Sequence, residues 1–283
     1  MRPLVVLIVT KISALQHELD AIRGQRPIGF VPTMGALHQG HLSLIRQSID
    51  NECFTVCSIF VNPTQFNDKG DLDRYPRTPE NDIALLESAG CELLFMPTAD
   101  EVYPQGQVVT SFDLGYLETI LEGAFRPGHF KGVSQVVNRL FEIVRPNKAF
   151  FGRKDYQQLL IVKELVKITH SSIEIIAGET LREVDGLAMS SRNQLLIPEH
   201  RLKVGIIYKT LVEAGKLAKE HSIESAVAFV SQRFQALEDF RLEYFEIRDP
   251  STLLVPATVQ SGHIALIALF AGRVRLIDNI TID

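Results

Sequence analysis

Six short, nearly continuous apolar runs, separated by stretches with helical spacing, restrict the fold of this chain more than any other feature of its sequence. The runs are LVVLIV (4–9), IGFV (28–31), FTVCSIFV (54–61), CELLFM (91–96), AFF (149–151) and IEIIA (173–177). A strand with one solvated face alternates apolar and polar residues, whereas a continuous run is apolar on both faces and needs cover on both. The covering helices are legible in the intervals. VSQVVNRLFEIV carries apolar residues at Val133, Val136, Val137, Leu140, Phe141 and Val144, the i, i+3, i+4, i+7 face of an amphipathic helix. Such strands alternating with helices imply an α/β fold, a doubly wound parallel sheet with helices on both sides.

The pattern changes after residue 180. PEHRLKVGIIYKTLVEAGKLAKEH (198–221) and IESAVAFVSQRFQAL (223–237) read as two helices, and FRLEYFEIRD, HIALIALFA and VRLIDNITI as three strands joined by short turns. We therefore expect residues 1–180 to form the larger domain and 181–283 a smaller α+β C-terminal domain, two helices plus a three-stranded antiparallel sheet. The boundary falls in GETLREVDGLAMSSRN, whose first half has the charged, glycine-containing character of a linker. A length of 283 residues accommodates both.

Charge and cysteine content remove several function classes. With 29 basic and 34 acidic residues the net charge is −5, and no block of like charge offers a surface for nucleic acid or for a membrane. The apolar run near the start is far shorter than the roughly 20 residues a spanning helix needs, so a cytoplasmic protein is expected. Cys53, Cys57 and Cys91 form an odd set with no C-x-x-C pair, which argues against a disulfide framework and a structural zinc site. Two of them sit in apolar runs, where packing is the simpler role.

The chemistry concentrates in PTMGALHQGH (32–41), which joins the strand 28–31 to a helix starting near Gly40 with Leu42, Leu44, Ile45 and Ile49 on its apolar face. In an open parallel sheet, ligands bind beyond the carboxyl ends of the strands. A strand-to-helix turn there can cradle phosphate with free backbone N–H groups. Gly35 and Gly40 allow a tight turn, and His38 and His41 stand at the positive end of the helix dipole, where an approaching polyphosphate would favour the protonated rings. Incidental loop histidines, or half of a metal site, are the alternatives. No neighbouring Cys, His or Glu set completes a metal site.

PTMGALHQGH resembles the nucleotide-binding signature of the pantothenate synthetase family, the ATP-dependent ligases that join pantoate to β-alanine. Five further stretches resemble that family in the same order: SIFVNPTQF (58–66), DLDRYPRT (71–78), LEGAFRPGHFKGV (121–133), FGRKDYQQL (151–159) and REVDGLAMSSRN (182–193). The resemblance implies a Rossmann-like nucleotidyltransferase fold and a two-step reaction. Pantoate's carboxylate attacks the α-phosphorus of ATP to give an enzyme-bound pantoyl adenylate and pyrophosphate, and the amine of β-alanine then displaces AMP. No protein nucleophile is required, so positioning and charge stabilisation carry the acceleration.

The same resemblance implies the site residues. ATP contact falls on Pro32, Thr33, Met34, Gly35, Ala36 and Leu37, and on His38, Gln39, Gly40 and His41. It continues through Gly152, Arg153, Lys154 and Asp155, and through Leu181, Met189, Ser190, Ser191 and Arg192. Of these, His41, His38, Lys154, Ser190, Ser191 and Arg192 are the catalytic candidates, the cations and hydroxyls suiting phosphate oxygens. Gln65, Gln158 and Asn62 are implied for pantoate and β-alanine. An amide orients a carboxylate without neutralising it, whereas a lysine would stabilise the attacking group and blunt it. Asp82 aligns with an acidic position near the Mg²⁺ and phosphates, although Asn81 stands where some members carry a second Asp. Glu122, Arg126 and His129 form a polar cluster that is a further candidate for lining the site. The resemblance also implies a homodimer and a C-terminal domain that closes over the nucleotide.

Two other functions share part of this pattern. The H-x-G-H and MSSR pair also resembles class I aminoacyl-tRNA synthetases and small nucleotidyltransferases; the first would need a basic RNA-binding extension, and the second has no use for paired glutamines. A catalytically inactive ATP-binding sensor is the alternative from another class, and retention of all six catalytic candidates argues against it.

Overall fold

A computed structural model describes residues 5–66, 69–104 and 110–283; Leu4 of the first apolar run lies outside them. Six strands form one sheet: β1 (Leu7–Val9), β2 (Ile28–Thr33), β3 (Phe54–Ile59), β4 (Leu93–Phe95), β5 (Lys148–Gly152) and β6 (Glu174–Gly178). Their order is β1-β4-β3-β2-β5-β6, and every neighbouring pair is parallel. From β2 the chain steps outward to β3 and β4, then returns to lay β5 on the other side of β2. The winding therefore reverses between β2 and β5, the position where doubly wound sheets present their ligand crevice.

Burial explains the continuous runs. Phe30, Val56, Leu93, Phe95, Ala149 and Phe151 point to one face, where they pack with the helix His129–Val144 and with Leu15 and Leu19 of the helix Ile12–Ile22. Their neighbours Val31, Cys57, Leu94 and Phe150 point to the other face, against Leu44 and Ile45 of the helix Gln39–Asp50 and Leu86 of the helix Pro79–Ala89. Each central strand is thus covered twice. The edge strand departs from this: β1 is shorter than its apolar run, and Leu7 and Ile8 are exposed. Ile49, expected on the buried face of its helix, is also exposed, while Ser48 is buried there and hydrogen-bonded to Thr55 (Oγ to Oγ1, 2.9 Å).

The chain divides into two compact units. One runs through Arg153 and resumes over Gln157–Glu179; the other takes Lys154–Tyr156 with Thr180–Asp283. The tripeptide joins the second unit through two bonds: Tyr156 Oη donates to Pro250 O (3.0 Å) and Asn279 Nδ2 donates to Lys154 O (2.7 Å).

In the second unit β7 (Phe240–Arg248), β8 (Ile264–Ala271) and β9 (Val274–Thr281) form an antiparallel sheet in that order. The helices Ile206–Glu220 and Ile223–Gln235 contribute Ile207, Leu211, Ala214, Val230 and Phe234 to its core. The stretch 198–221 is not one helix. A first turn, Pro198–Arg201, stops before Leu202, and the long helix starts at Ile206 behind Gly205. Proline favours a helix start and glycine is a poor helix former, so the sequence marks two starts.

Candidate functional site

Three neighbouring strands, β3, β2 and β5, run parallel and release their loops at the same edge of the sheet. The loop after β2 carries Met34 to His38, the loop after β3 carries Asn62 and Gln65, and the loop after β5 begins at Arg153.

The β2 loop is closed by its own hydrogen bonds. Gly35 and Ala36 take left-handed backbone, at φ 81° and 49°. Glycine tolerates this and alanine rarely does, so the second residue needs holding. Asp82, at the start of the helix Pro79–Ala89 and 1% exposed, supplies the hold. Its Oδ2 accepts from Ala36 N–H (2.9 Å), and its Oδ1 accepts from Leu37 N–H (2.8 Å) and Thr78 Oγ1 (3.1 Å). Thr33 Oγ1 accepts from Gly35 N–H (3.2 Å) and donates to Ser58 O (2.7 Å). The expectation that this turn offers free amides is corrected here: a buried carboxylate and a threonine already occupy those of Gly35, Ala36 and Leu37.

The paired histidines cap the helix Gln39–Asp50. His38 is the N-cap residue, and its Nδ1 accepts from Gly40 N–H (3.1 Å); His41, at the third helical position, returns the bond, its Nδ1 accepting from His38 N–H (3.3 Å). This is a reciprocal capping box built from two imidazoles. The rings lie 4.0 Å apart between centroids. Only an unprotonated Nδ1 accepts, so each neutral ring carries its proton on Nε2 and presents it as a donor. Gln39 is exposed, its side chain bonded to Arg46 (2.9 Å).

After β3, Asn62 caps the 3₁₀ turn Pro63–Gln65 and is fully buried. Its Nδ2 donates to Thr64 Oγ1 (2.9 Å), Gln65 Oε1 (3.4 Å) and Gly132 O (3.4 Å). Its side chain is therefore committed to the turn. Gln65 is half-buried and its Nε2 donates to Met34 Sδ (3.0 Å), which brings the β2 and β3 loops together. After β5, Arg153 pairs with Glu179 (2.8 Å). The helix Tyr156–Ile168 then carries two adjacent glutamines of opposite character. Gln158 is half-buried; Gln157 is buried, accepting from Glu122 N–H (2.9 Å) and donating to Leu117 O (2.7 Å) and Ile120 O (2.8 Å).

The remaining candidates belong to the second unit. Met189 N–H donates to Leu181 O (2.9 Å), and Ser190 caps the 3₁₀ turn Ser191–Leu195 by accepting from Arg192 N–H (3.3 Å). Ser191 is buried and Arg192 half-buried. Arg182 ties this loop to β9: it forms a bidentate pair with Asp278 (2.7 and 3.0 Å), donates to Asn279 O (2.9 Å), and lies over the Tyr208 ring. Asn279, next in the strand, bonds the Lys154 carbonyl, so β9 anchors both the Lys154 and the Met189–Arg192 segments. Nothing local in the sequence marks Arg182, Gln157 or Asn279, since their partners are remote in the chain.

Among the described residues there is no protein cage for a divalent metal. Both oxygens of Asp82 are committed, and among the described residues no group of three or more His, Cys, Asp or Glu side chains could hold an ion. Nor, among the described residues, is any helix long and apolar enough to cross a membrane.

A parallel sheet that delivers capped imidazoles, a half-buried glutamine and a cationic loop from adjoining strands defines a Rossmann-like, nucleotidyltransferase-type enzyme. The pantoate–β-alanine ligase family model matches residues 7–281, and the chain belongs to that family, an enzyme family of ligases. A pantothenate synthetase from Bacteroides fragilis is 46% identical over 276 residues, covering 96% of this chain and 98% of its own. One from Flavobacterium psychrophilum is 46% identical over 264 residues, covering 92% and 94%. Among solved structures, pantothenate synthetase from Thermus thermophilus is similar with a TM-score of 0.91 and 40% identity, over 98% of this chain and 99% of that one. A pantoate–β-alanine ligase from Francisella tularensis, complexed with beta-gamma ATP and beta-alanine, has a TM-score of 0.83 and 34% identity, over 98% and 97%.

Proposed function

We propose that this ligase condenses (R)-pantoate with β-alanine, consuming ATP and releasing AMP and pyrophosphate. In the first step a carboxylate oxygen of pantoate attacks the α-phosphorus, and the bond to the bridging oxygen breaks to release pyrophosphate. In the second, the β-alanine amine attacks the acyl carbon of the bound pantoyl adenylate, loses a proton, and AMP leaves with the electron pair. The observation that carries this reading is the pair of imidazoles, each fixed through Nδ1 so that Nε2–H is the donor. Two neutral donors of set direction stabilise charge growing on phosphate oxygens without first binding the carboxylate.

We assign ATP contact to the loop 32–41, to Gly152–Asp155 and to Leu181 with Met189–Arg192. Lys154, Ser190, Ser191 and Arg192 act on the phosphates with His38 and His41. Gln65 and Gln158 orient pantoate, Gln65 also meeting β-alanine; Asn62 acts by shaping the turn that presents Gln65. Mg²⁺ would be held mainly by the nucleotide's phosphates and water and would offset their charge, while Asp82 shapes the β2 loop. We further propose a cytoplasmic homodimer.

The test is release of AMP and pyrophosphate by the purified protein with ATP, Mg²⁺, pantoate and β-alanine, omitting each acid in turn. Pyrophosphate exchange with pantoate alone, and AMP release only when β-alanine is added, is the expected result. AMP release in the absence of pantoate refutes it.

A further inference from the structure

The turn that carries Gln65 is docked onto the first turn of the helix His129–Val144. His129 Nδ1 lies 2.8 Å from Gln65 O, and Gly132 O accepts from Asn62 Nδ2 (3.4 Å). The approach is close enough to need glycine: a Cβ on Gly132 would stand 2.3 Å from Thr64 O and 2.8 Å from Gln65 Cα. A carbonyl oxygen only accepts and a guanidinium only donates, so the ring's roles are fixed. Nδ1–H donates to Gln65 O, and Nε2 accepts from Arg126, whose Nη1 is 3.0 Å away. Arg126 pairs in turn with Glu122 (3.6 Å), which is buried and whose backbone N–H donates to Gln157 Oε1. A continuous polar chain thus links Gln157, the neighbour of Gln158, to the carbonyl of Gln65.

We propose that His129, Arg126 and Glu122 are positioning residues for the ligation: they hold the Gln65 amide in register with Gln158, so that one acid substrate meets two glutamines at a fixed spacing. The inference rests on the functional reading above. The chain of contacts touches the substrate glutamines only through their backbone or their neighbour, so its loss loosens placement and leaves the donors themselves intact. Misplacing a reacting group by about 1 Å can cost on the order of 100-fold.

The experiment is a double-mutant cycle with an exchange readout. His129→Ala should lower kcat/KM for pantoate by about 10- to 100-fold while KM for ATP changes by less than about 2-fold. In a Gln65→Ala background the same substitution should cost less than about 2-fold, because the residue it positions is already gone. His129→Asn, which keeps a donor near the Nδ1 position, should recover most of the loss, and Glu122→Gln should fall between. Amide hydrogen exchange at Thr64 and Phe66 should accelerate in His129→Ala whether or not substrates are present. Additive penalties in the cycle, an equal rise in KM for ATP, or unchanged exchange at 64–66 overturns the proposal. If His129→Ala does not fold, the same criteria apply to His129→Asn and Glu122→Gln. A wild-type protein that makes no pantoate-dependent product defeats the functional reading instead, and the exchange result then still decides whether the turn is held in this way.

Discussion

Replacing Asp82 separates a metal ligand from a loop brace. In Asp82→Ala two backbone donors, those of Ala36 and Leu37, lose a charged acceptor, and both residues are buried. Each buried donor left without a partner costs about 1–3 kcal/mol, so the loss is about 2–6 kcal/mol if water does not enter. That is a large share of a typical net stability of about 5–15 kcal/mol. Asp82→Asn keeps one carbonyl acceptor and turns its amide group toward the other N–H, so about half the penalty is expected. Urea denaturation measures the stability change, and hydrogen exchange at Ala36 and Leu37 reports the bonds directly. Activity should be titrated with Mg²⁺ at saturating ATP in both variants. A brace gives lost stability, fast exchange, a raised KM for ATP and an unchanged Mg²⁺ midpoint. Full stability with a Mg²⁺ midpoint shifted several-fold refutes the reasoning and makes Asp82 a metal ligand.

Three other outcomes follow from the same contacts. His41→Ala should lower turnover by roughly two to four powers of ten, measured as pyrophosphate exchange, whereas His38→Asn, which retains a good N-cap, should lose turnover with stability changed by less than about 0.5 kcal/mol. Arg182→Ala leaves the buried Asp278 carboxylate unpaired and should destabilise the protein by about 3–5 kcal/mol at neutral pH. Burial already pushes the Asp278 carboxyl up and Arg182 opposes it, so without Arg182 the folded state favours the protonated acid more strongly. A raised carboxyl pKa adds stability below the unfolded value and loses it as pH rises, so the deficit measured by urea unfolding should shrink toward about pH 5 and grow toward about pH 8. Burial also raises all three thiols, Cys91 to about 12, so the folded protein should resist a thiol reagent at about pH 8 and expose three reactive groups on unfolding.

What the sequence carried, and what it hid, divides by range. The central strands were legible because being covered on two faces writes a local signal, a continuous apolar run, and β2, β3 and β5 each fall within about two residues of theirs. The loops that carry the candidate residues could be placed because PTMGALHQGH, NPTQF and GRKD directly follow those strands. The spacing of His38 and His41 also held a readable local signal, N-cap and third helical position, that their chemical interest obscured. Long-range polar pairs write nothing local. Asp82 bonds amides 45 and 46 residues earlier, Arg182 meets a carboxylate 96 residues later, and nothing in the string QQ at 157–158 tells the buried glutamine from the half-buried one. The exposed β1 residues failed for the opposite reason, since an edge strand has the composition of a central one without its neighbours.

The closed β2 loop changes where binding charge must come from. A turn with open amides would meet phosphate through its backbone, and its conformation would depend on the ligand. Here the amides of residues 35–38 and 40 are satisfied within the protein, so the loop is fixed before anything binds. Recognition then falls to side chains, and the capping bonds set their direction: protonating either ring at Nδ1 would remove a helix cap worth about 0.5–2 kcal/mol. The capping bonds therefore hold both rings in place before any ligand arrives. On the reading proposed above, a carboxylate nucleophile would benefit from this arrangement, because neutral donors would steady the phosphate oxygens while leaving the attacking oxygen its full charge.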